Sequence, residues 1–444
     1  MRLFSKLLAC GVLCVLLGAF QGACAQSVGV TKKRVTADPA AEALNRLLAA
    51  AQEAADRQDY ATAAQNYQAY LEKKPDDATV HFNLGYAYTA LQRPADAQSE
   101  YQKAISLDPK MTGAYLNLGL TLLPGDPGAA VEPLEKAVEL SPDQVQPRLF
   151  LGAALERSGR LAPAIEQYQA AAKLDAKDYD VRCALGSALL AAGRASDAEP
   201  QFRAALAMRS EAAEAAQAHL GLAHTLIAGK KLDAAATELG LYLEARPEDT
   251  AARVERAALL VDLGKNDDAL AELNSAAAAG PEGLRALKLR SKIFFEQKRY
   301  SDAVAPLQKA AAIAPRDPDI PALLGHMYLL EKDYSAAVQA LLAAHNMDPN
   351  AADVLDDLVT AEYWAKNYAA ALGALDALAK HMDLPAGRWF IRAACYDKLD
   401  QPAPALEAYR KFLQLNTDEN NDMYFEASAR VRVLTFELQN RKKR

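Results

Sequence analysis

An alanine returns at nearly constant spacing along most of the chain: Ala63, Ala97, Ala130, Ala164, Ala198, Ala235, Ala269, Ala303, Ala337, Ala371 and Ala405. Eight of the ten intervals are 34 residues, one is 33 and one is 37. The chain is rich in Ala, but composition scatters a residue and does not hold it in register. A unit this short cannot bury a core alone, so the spacing requires units that stack and close one another. Aromatic residues make up 7% of the chain, and β-branched residues are sparse beside Ala and Leu, which favours helix over sheet. With 51% apolar and 24% charged residues, the chain is not disordered, collagenous or a disulfide-dense miniprotein.

Other columns share the register. Aligning HFNLGYAYTALQRPADAQSEYQKAISLDP, RLFLGAALERSGRLAPAIEQYQAAAKLDA and ALLGHMYLLEKDYSAAVQALLAAHNMDP sets copies at Leu44, Ala78, Thr112, Val145, Tyr179, Ala216, Thr250, Leu284, Pro318, Ala352 and Ala386. The alanine column is then position 20, where two helices approach closest. Position 8 is small in ten copies, as at Gly85, Gly119, Gly152, Gly186 and Gly325, with Val359 the exception. Position 24 is large and apolar throughout, as at Tyr67, Tyr101, Tyr168, Phe202, Leu341 and Tyr409. Position 32 is Pro in seven copies, including Pro75, Pro109, Pro247 and Pro349, which stops a helix.

This pattern resembles the tetratricopeptide repeat. The resemblance covers residues 44–419 in eleven copies and implies an all-α fold: a right-handed superhelical solenoid of antiparallel helix pairs. The third copy is one residue short, at its LPGDPG turn, and residues 213–215 are inserted before the sixth. Position 27 is Tyr70, Tyr242 and Phe412 in the first, sixth and last copies, where Ala is usual. Two blocks, 44–212 and 216–419, are therefore expected, with one continuous superhelix as the alternative. After the repeats, Met423, Phe425, Val431, Val433, Leu434 and Leu438 fit an amphipathic capping helix within 420–444, ahead of the basic tail.

The N-terminus reads as a signal peptide. Arg2 and Lys6 precede the apolar run LLACGVLCVLLGAF, and Ala23-Cys24-Ala25 supplies a small-x-small cleavage pattern. Residues 1–25 are thus expected to be removed on export to the periplasm or outside. Lipidation at Cys24 and a retained anchor are the alternatives. Residues 26–43 read as a flexible tether, and no membrane span is expected after cleavage. Of the five cysteines, Cys183 and Cys395 would remain, too widely separated for a disulfide framework. Apart from the basic residues at both ends, the mature body has 41 basic and 57 acidic residues, a net charge of −16. Such a body is a poor partner for nucleic acid.

No nucleophile motif, phosphate-binding loop or metal-ligand spacing occurs, so no enzyme, cofactor or metal is expected. His219 and His224 are five apart and do not stack on one helix face. At 100° per residue, positions 4, 7, 8 and 11 of each first helix face one side, and positions 2, 5, 9, 12 and 13 the other. In the family resembled, the second set lines a concave groove that holds peptides. Carried over residue by residue, the groove of repeats two to four contains Phe82, Tyr86, Leu116, Leu120, Leu123 and Leu149. A secondary, charged groove contains Arg285, Lys288 and Lys292 in repeat eight with Asp353 and Asp356 in repeat ten. These charges either grip a ligand or neutralise one another between repeats. The lysine–asparagine clamp of the family's chaperone-tail binders is missing: Lys288 is the sole Lys at position 5, and position 9 is never Asn. The reading is a non-catalytic protein–protein interaction scaffold of the cell envelope, binding a peptide segment or helix. The alternative is an accessory subunit engaged through its outer surface.

Overall fold

A computed structural model describes residues 39–209, 211–416, 418 and 422–441. The expected signal peptide, residues 26–38 of the tether and the RKKR end beyond Arg441 lie outside the described residues. Among the described residues there are 23 helices and no strand. They belong to two compact units, divided between Gly125 and Asp126.

The first unit contains the helix pairs Pro39–Asp56 with Tyr60–Leu71 and Ala78–Ala90 with Pro94–Leu107, followed by Thr112–Leu122. The first helix begins five residues before the expected start of the repeats, so residues 39–43 are helix and not tether. Pro39 opens it and the Ala-rich run behind continues it, which suits helix propensity at both points. Ala51, Ala63, Tyr67, Leu84, Ala97 and Tyr101 form its core.

The second unit opens with Pro127–Leu140. Eight pairs follow: Val145–Arg157 with Leu161–Leu174, Tyr179–Ala191 with Ala195–Leu206, Ala212–Ala228 with Leu232–Ala245, Thr250–Asp262 with Asn266–Ala279, Leu284–Glu296 with Tyr300–Ile313, Asp319–Leu330 with Tyr334–Met347, Ala352–Trp364 with Tyr368–Leu378, and Ala386–Lys398 with Pro402–Leu415. Asp422–Arg441 closes the unit. Each helix packs mainly on its sequence neighbours.

The division does not fall at residues 213–215. There the helix Ala212–Ala228 is 17 residues long, against 13 in the repeats on either side. The inserted residues add nearly one turn to this helix, and packing carries straight across. The Ala218 N–H donates to Tyr179 Oη at 3.1 Å. A Cβ on Gly221 would stand 2.2 Å from the Phe202 ring.

The columns have physical causes. All eleven alanines at position 20 are fully buried. Position 8 is small because the position-24 side chain lies over it: a Cβ would come within 2.7 Å of Tyr101 at Gly85, 2.5 Å of Tyr168 at Gly152 and 2.4 Å of Leu341 at Gly325. Val359 is accommodated opposite Leu375, and both are fully buried. At position 27, Tyr70 and Tyr242 donate hydrogen bonds to Asp77 and Asp249, which cap the next helix.

A polar clasp escaped the sequence reading. At position 4, Arg148, Arg182 and Arg253 each reach Gln167, Gln201 and Glu272 at position 23 of their own repeat. Each also donates to a carbonyl of the preceding loop, at Pro142, Ala176 and Pro247. His81 uses the same geometry, between Glu100 and the Pro75 carbonyl. Position 4 therefore ties the two helices of a repeat to the loop before it.

The turns also repeat. Position 15 has positive φ in ten copies: Gln58, Gln92, Gly159, Gly193, Lys230, Gly264, Lys298, Lys332, Lys366 and Asp400. This left-handed residue lets the next N–H reach back to the position-11 carbonyl, as Lys231 does to Leu226 and Asp333 to Tyr328. The third copy has no such residue. Its turn is the shortened one, and the two compact units divide within it.

Candidate interaction surface

The predicted groove residues do not form one exposed patch. In the first unit, Phe82 is half-buried, its ring 5.9 Å from that of Tyr101, and it packs against the core. Tyr86 meets Tyr60 edge-on at 6.1 Å. Burial, and then the neighbouring Tyr60, raise the Tyr86 phenol above its ordinary pKa. Leu116 is half-buried. Leu120 and Leu123 are 7% and 1% exposed, so the expectation that they line an open face is corrected: both are core. Assignment by 100° steps measures the angle around one helix and carries no information on what packs against each side. Truncating either leucine removes core volume, at a cost of about 2–5 kcal/mol. Leu149, half-buried, belongs to the second unit.

The charged set is largely spent on internal pairs. Lys288 Nζ lies 2.7 Å from Asp317, and this bond holds the Asp317 carboxyl below its usual range. Lys292 stands 3.8 Å from both Asp262 and Glu296. Asp356 accepts both arms of the Arg388 guanidinium from the next repeat. Arg285 and Asp353 are exposed. The two sets do not neutralise one another: Lys288 pairs with Asp317 of its own repeat, Lys292 with Asp262 of the repeat before, and Asp356 with Arg388 of the repeat after.

The open apolar face lies in repeats eight to ten, on the same register positions. Phe295 at position 12 is 40% exposed, and Trp364 at position 13 is 56% exposed. Leu330, also at position 13, is exposed. The Phe295 ring lies 6.0 Å from Tyr300 and 5.9 Å from His326 of the next repeat. His326 Nδ1 is 2.7 Å from Asp357 Oδ2 in repeat ten, so this pair spans two repeats. Its hydrogen bond to Asp357 raises the His326 pKa above the ordinary value, against the effect of burial. Trp364 stacks on Tyr334 at 6.0 Å with 20° between planes, and meets Tyr363 edge-on at 5.3 Å. Phe295, His326, Leu330 and Trp364 occupy positions 12, 9, 13 and 13. The register that pointed to repeats two to four thus also marks these residues.

The histidines make separate ion pairs, His219 with Glu238 and His224 with Glu255. Among the described residues, no cluster of His, Cys, Asp and Glu is arranged to hold a metal. A cleft lies between the fourth and fifth repeats. Lys173, Arg182 and Arg194 rim it, and Leu185 and Leu189 lie beneath.

The family model for the tetratricopeptide repeat matches residues 48–112, 125–179, 183–250 and 254–318, more than half of the chain. The chain belongs to the tetratricopeptide repeat family. Domains of this family bind protein partners, so the chain is a protein-interaction scaffold in its general class. Solved structures resemble parts of it. PilF of Pseudomonas aeruginosa is 22% identical over 47% of this chain and 93% of its own, with a TM-score of 0.41. YrrB, described as a tetratricopeptide protein with an unusual peptide-binding site, is 22% identical over 43% and 96%, with a TM-score of 0.38. MamA of Desulfovibrio magneticus is 20% identical over 37% and 94%, with a TM-score of 0.36. No curated protein matches the chain.

Proposed function

We propose that this tetratricopeptide protein is an exported, non-catalytic scaffold of the cell envelope that holds an extended segment or helix of another protein. Export rests on the N-terminal sequence, from Arg2 to Ala25. The binding reading rests on one observation: Phe295 and Trp364 stand exposed on groove positions of repeats eight and ten while the repeats' own packing positions are filled. Exposed aromatics on a rigid frame are the side chains that supply most binding energy at interfaces. Phe82, Tyr86, Leu116 and Leu149, all half-buried, extend the same register and are secondary candidates. The basic cleft at Lys173, Arg182 and Arg194 favours the alternative, an accessory subunit gripped from outside.

The test is capture of envelope proteins by the wild type and by a Phe295→Ala, Trp364→Ala double variant. The double variant should keep the wild-type melting temperature and lose the captured partner by about thirtyfold in affinity or more, the usual effect of removing a central aromatic anchor. Undiminished capture by a folded double variant overturns this site. Loss of capture on Lys173→Gln with Arg194→Gln instead would move the contact to the outer cleft.

A further inference from the structure

The closing helix Asp422–Arg441 stands as the first helix of a repeat, and among the described residues no second helix follows it. The first helices of repeats two to five begin at position 1 of their repeat. Counted in the same way from Asp422, Ala427 is position 6 and Ala429 is position 8. Ala427 is fully buried in the core of the last repeat, together with Tyr409 at position 24. Gly221, also at position 6, meets Phe202 at position 24 of the repeat before it. Leu434 is buried with Ala427, and Arg430 bonds Asp397 with both arms. The closing helix thus meets the preceding repeat as an ordinary first helix does.

Its other side differs from every first helix before it. Position 8 is buried in all eleven repeats. There the repeat's own second helix lies over it, as Tyr101 does over Gly85 and Tyr168 over Gly152. Ala429, at the same position, is exposed. Phe425 at position 4 and Phe436 at position 15 are 61% and 67% exposed, and Val433 between them is 43% exposed. Residues 425, 429, 433 and 436 fall within about 80° of one another around a helix, so they make a single stripe. The stripe continues the interface that joins the two helices of each repeat: small where helices approach closest, large on either side.

The edges of the stripe set the charge of a complementary helix. At 100° per residue, Glu426 and Glu437 lie about 20° and 40° beyond Val433, and Asp422 falls within the arc. All three are exposed. Arg432, also exposed, borders the opposite edge. Two copies of the stripe packed antiparallel, as the helices of a repeat are, would set the acidic edge against itself, and like charges disfavour that pairing. A helix with basic residues along one edge matches it.

We propose that the closing helix binds a basic amphipathic helix of another protein, packed antiparallel in the place of the second helix. Its apolar residues would cover Phe425, Ala429, Val433 and Phe436, and its Lys or Arg side chains would stand beside Glu426 and Glu437. This goes beyond the scaffold reading, because the stripe is separate from Phe295 and Trp364 and does not depend on them.

Two helix-stapled peptides test this. Both are built on the second helix of the last repeat, Pro402–Leu415, and keep Ala405, Tyr409 and Phe412. One is made basic by Glu407→Lys and Gln414→Lys, the other acidic by Arg410→Glu, Lys411→Glu and Gln414→Glu. Fluorescence anisotropy follows their binding to the full chain at physiological salt, which screens exposed charges beyond about 8 Å. The basic peptide should bind, and the acidic one should bind about tenfold more weakly or less. Phe425→Ser with Phe436→Ser should weaken the basic peptide by about tenfold or more at an unchanged melting temperature. Phe295→Ala with Trp364→Ala should leave its binding unchanged. Glu426→Lys with Glu437→Lys should abolish the preference for the basic peptide. Failure of the basic peptide to bind, binding that the stripe variant leaves intact, or a preference that survives the charge reversal overturns the proposal. So does a dimer in light scattering that Phe436→Ser dissolves, because a second copy then covers the stripe.

Discussion

His326 is the residue at which solution conditions should reach the interaction surface. Its imidazole, in repeat nine, joins Phe295 of repeat eight to Asp357 of repeat ten, and its pKa is raised chiefly by the bond to that carboxylate. A pKa raised on folding gives stability that is complete below the unfolded value, about 6.5, and lost as pH rises through the folded value. The melting temperature of the wild type should therefore exceed that of His326→Gln by more at pH about 6 than at pH about 8.5. A difference that grows with pH would contradict the pairing. Glu255 has the opposite sign: its bond to His224 lowers its pKa, so that contribution is lost on acidification. Residue-scale reading of the sequence worked where one contact decides identity. Gly85, Gly152 and Gly186 are small because Tyr101, Tyr168 and Phe202 lie on them. It went wrong at Leu120 and Leu123, which 100° steps assign to an open face and which are 7% and 1% exposed.

Helices and turns follow the register more closely than the surface does. Most first helices start within a residue of the position that the alanine column dictates, and the two that start early, Pro39 and Ala212, do so where extra helix-forming sequence precedes the repeat. The clasp from position 4 to position 23 was legible in principle as a recurring Arg or His followed nineteen residues later by Gln or Glu. Helical periodicity places position 4 on the same side as the small position 8 and so does not single it out as polar. The left-handed turn residue was legible only at Gly159, Gly193 and Gly264; the other seven are residues that pay a steric cost of about 1–2 kcal/mol there. Lys332→Gly and Lys366→Gly should each raise stability by about 0.5–1 kcal/mol, the relieved strain less the added chain entropy. Urea unfolding of the single variants checks this. An unchanged or lower midpoint would mean that the lysines gain enough elsewhere to offset the strain.

At the scale of the whole chain, the position of a discontinuity was foreseeable and its choice was not. Two irregularities interrupt the spacing, the missing residue in the LPGDPG turn and the insertion at 213–215. An insertion of nearly a full helical turn is absorbed by lengthening one helix, so its Phe202 and Tyr179 contacts persist. A deletion of one residue removes the left-handed closure that the other ten turns share, and that is where the compact units divide. The central claim is that the stack exists to present a face, and that the face is the aromatic one of repeats eight to ten. Hydroxyl-radical footprinting of the protein, alone and with the partner it captures, tests this most directly. Phe295 and Trp364 should lose most of their reactivity when the partner is present, while Leu120 and Leu123, already buried, should not change. Protection confined to the cleft at Lys173 and Arg194, with Phe295 and Trp364 as reactive as in the free protein, would contradict the account.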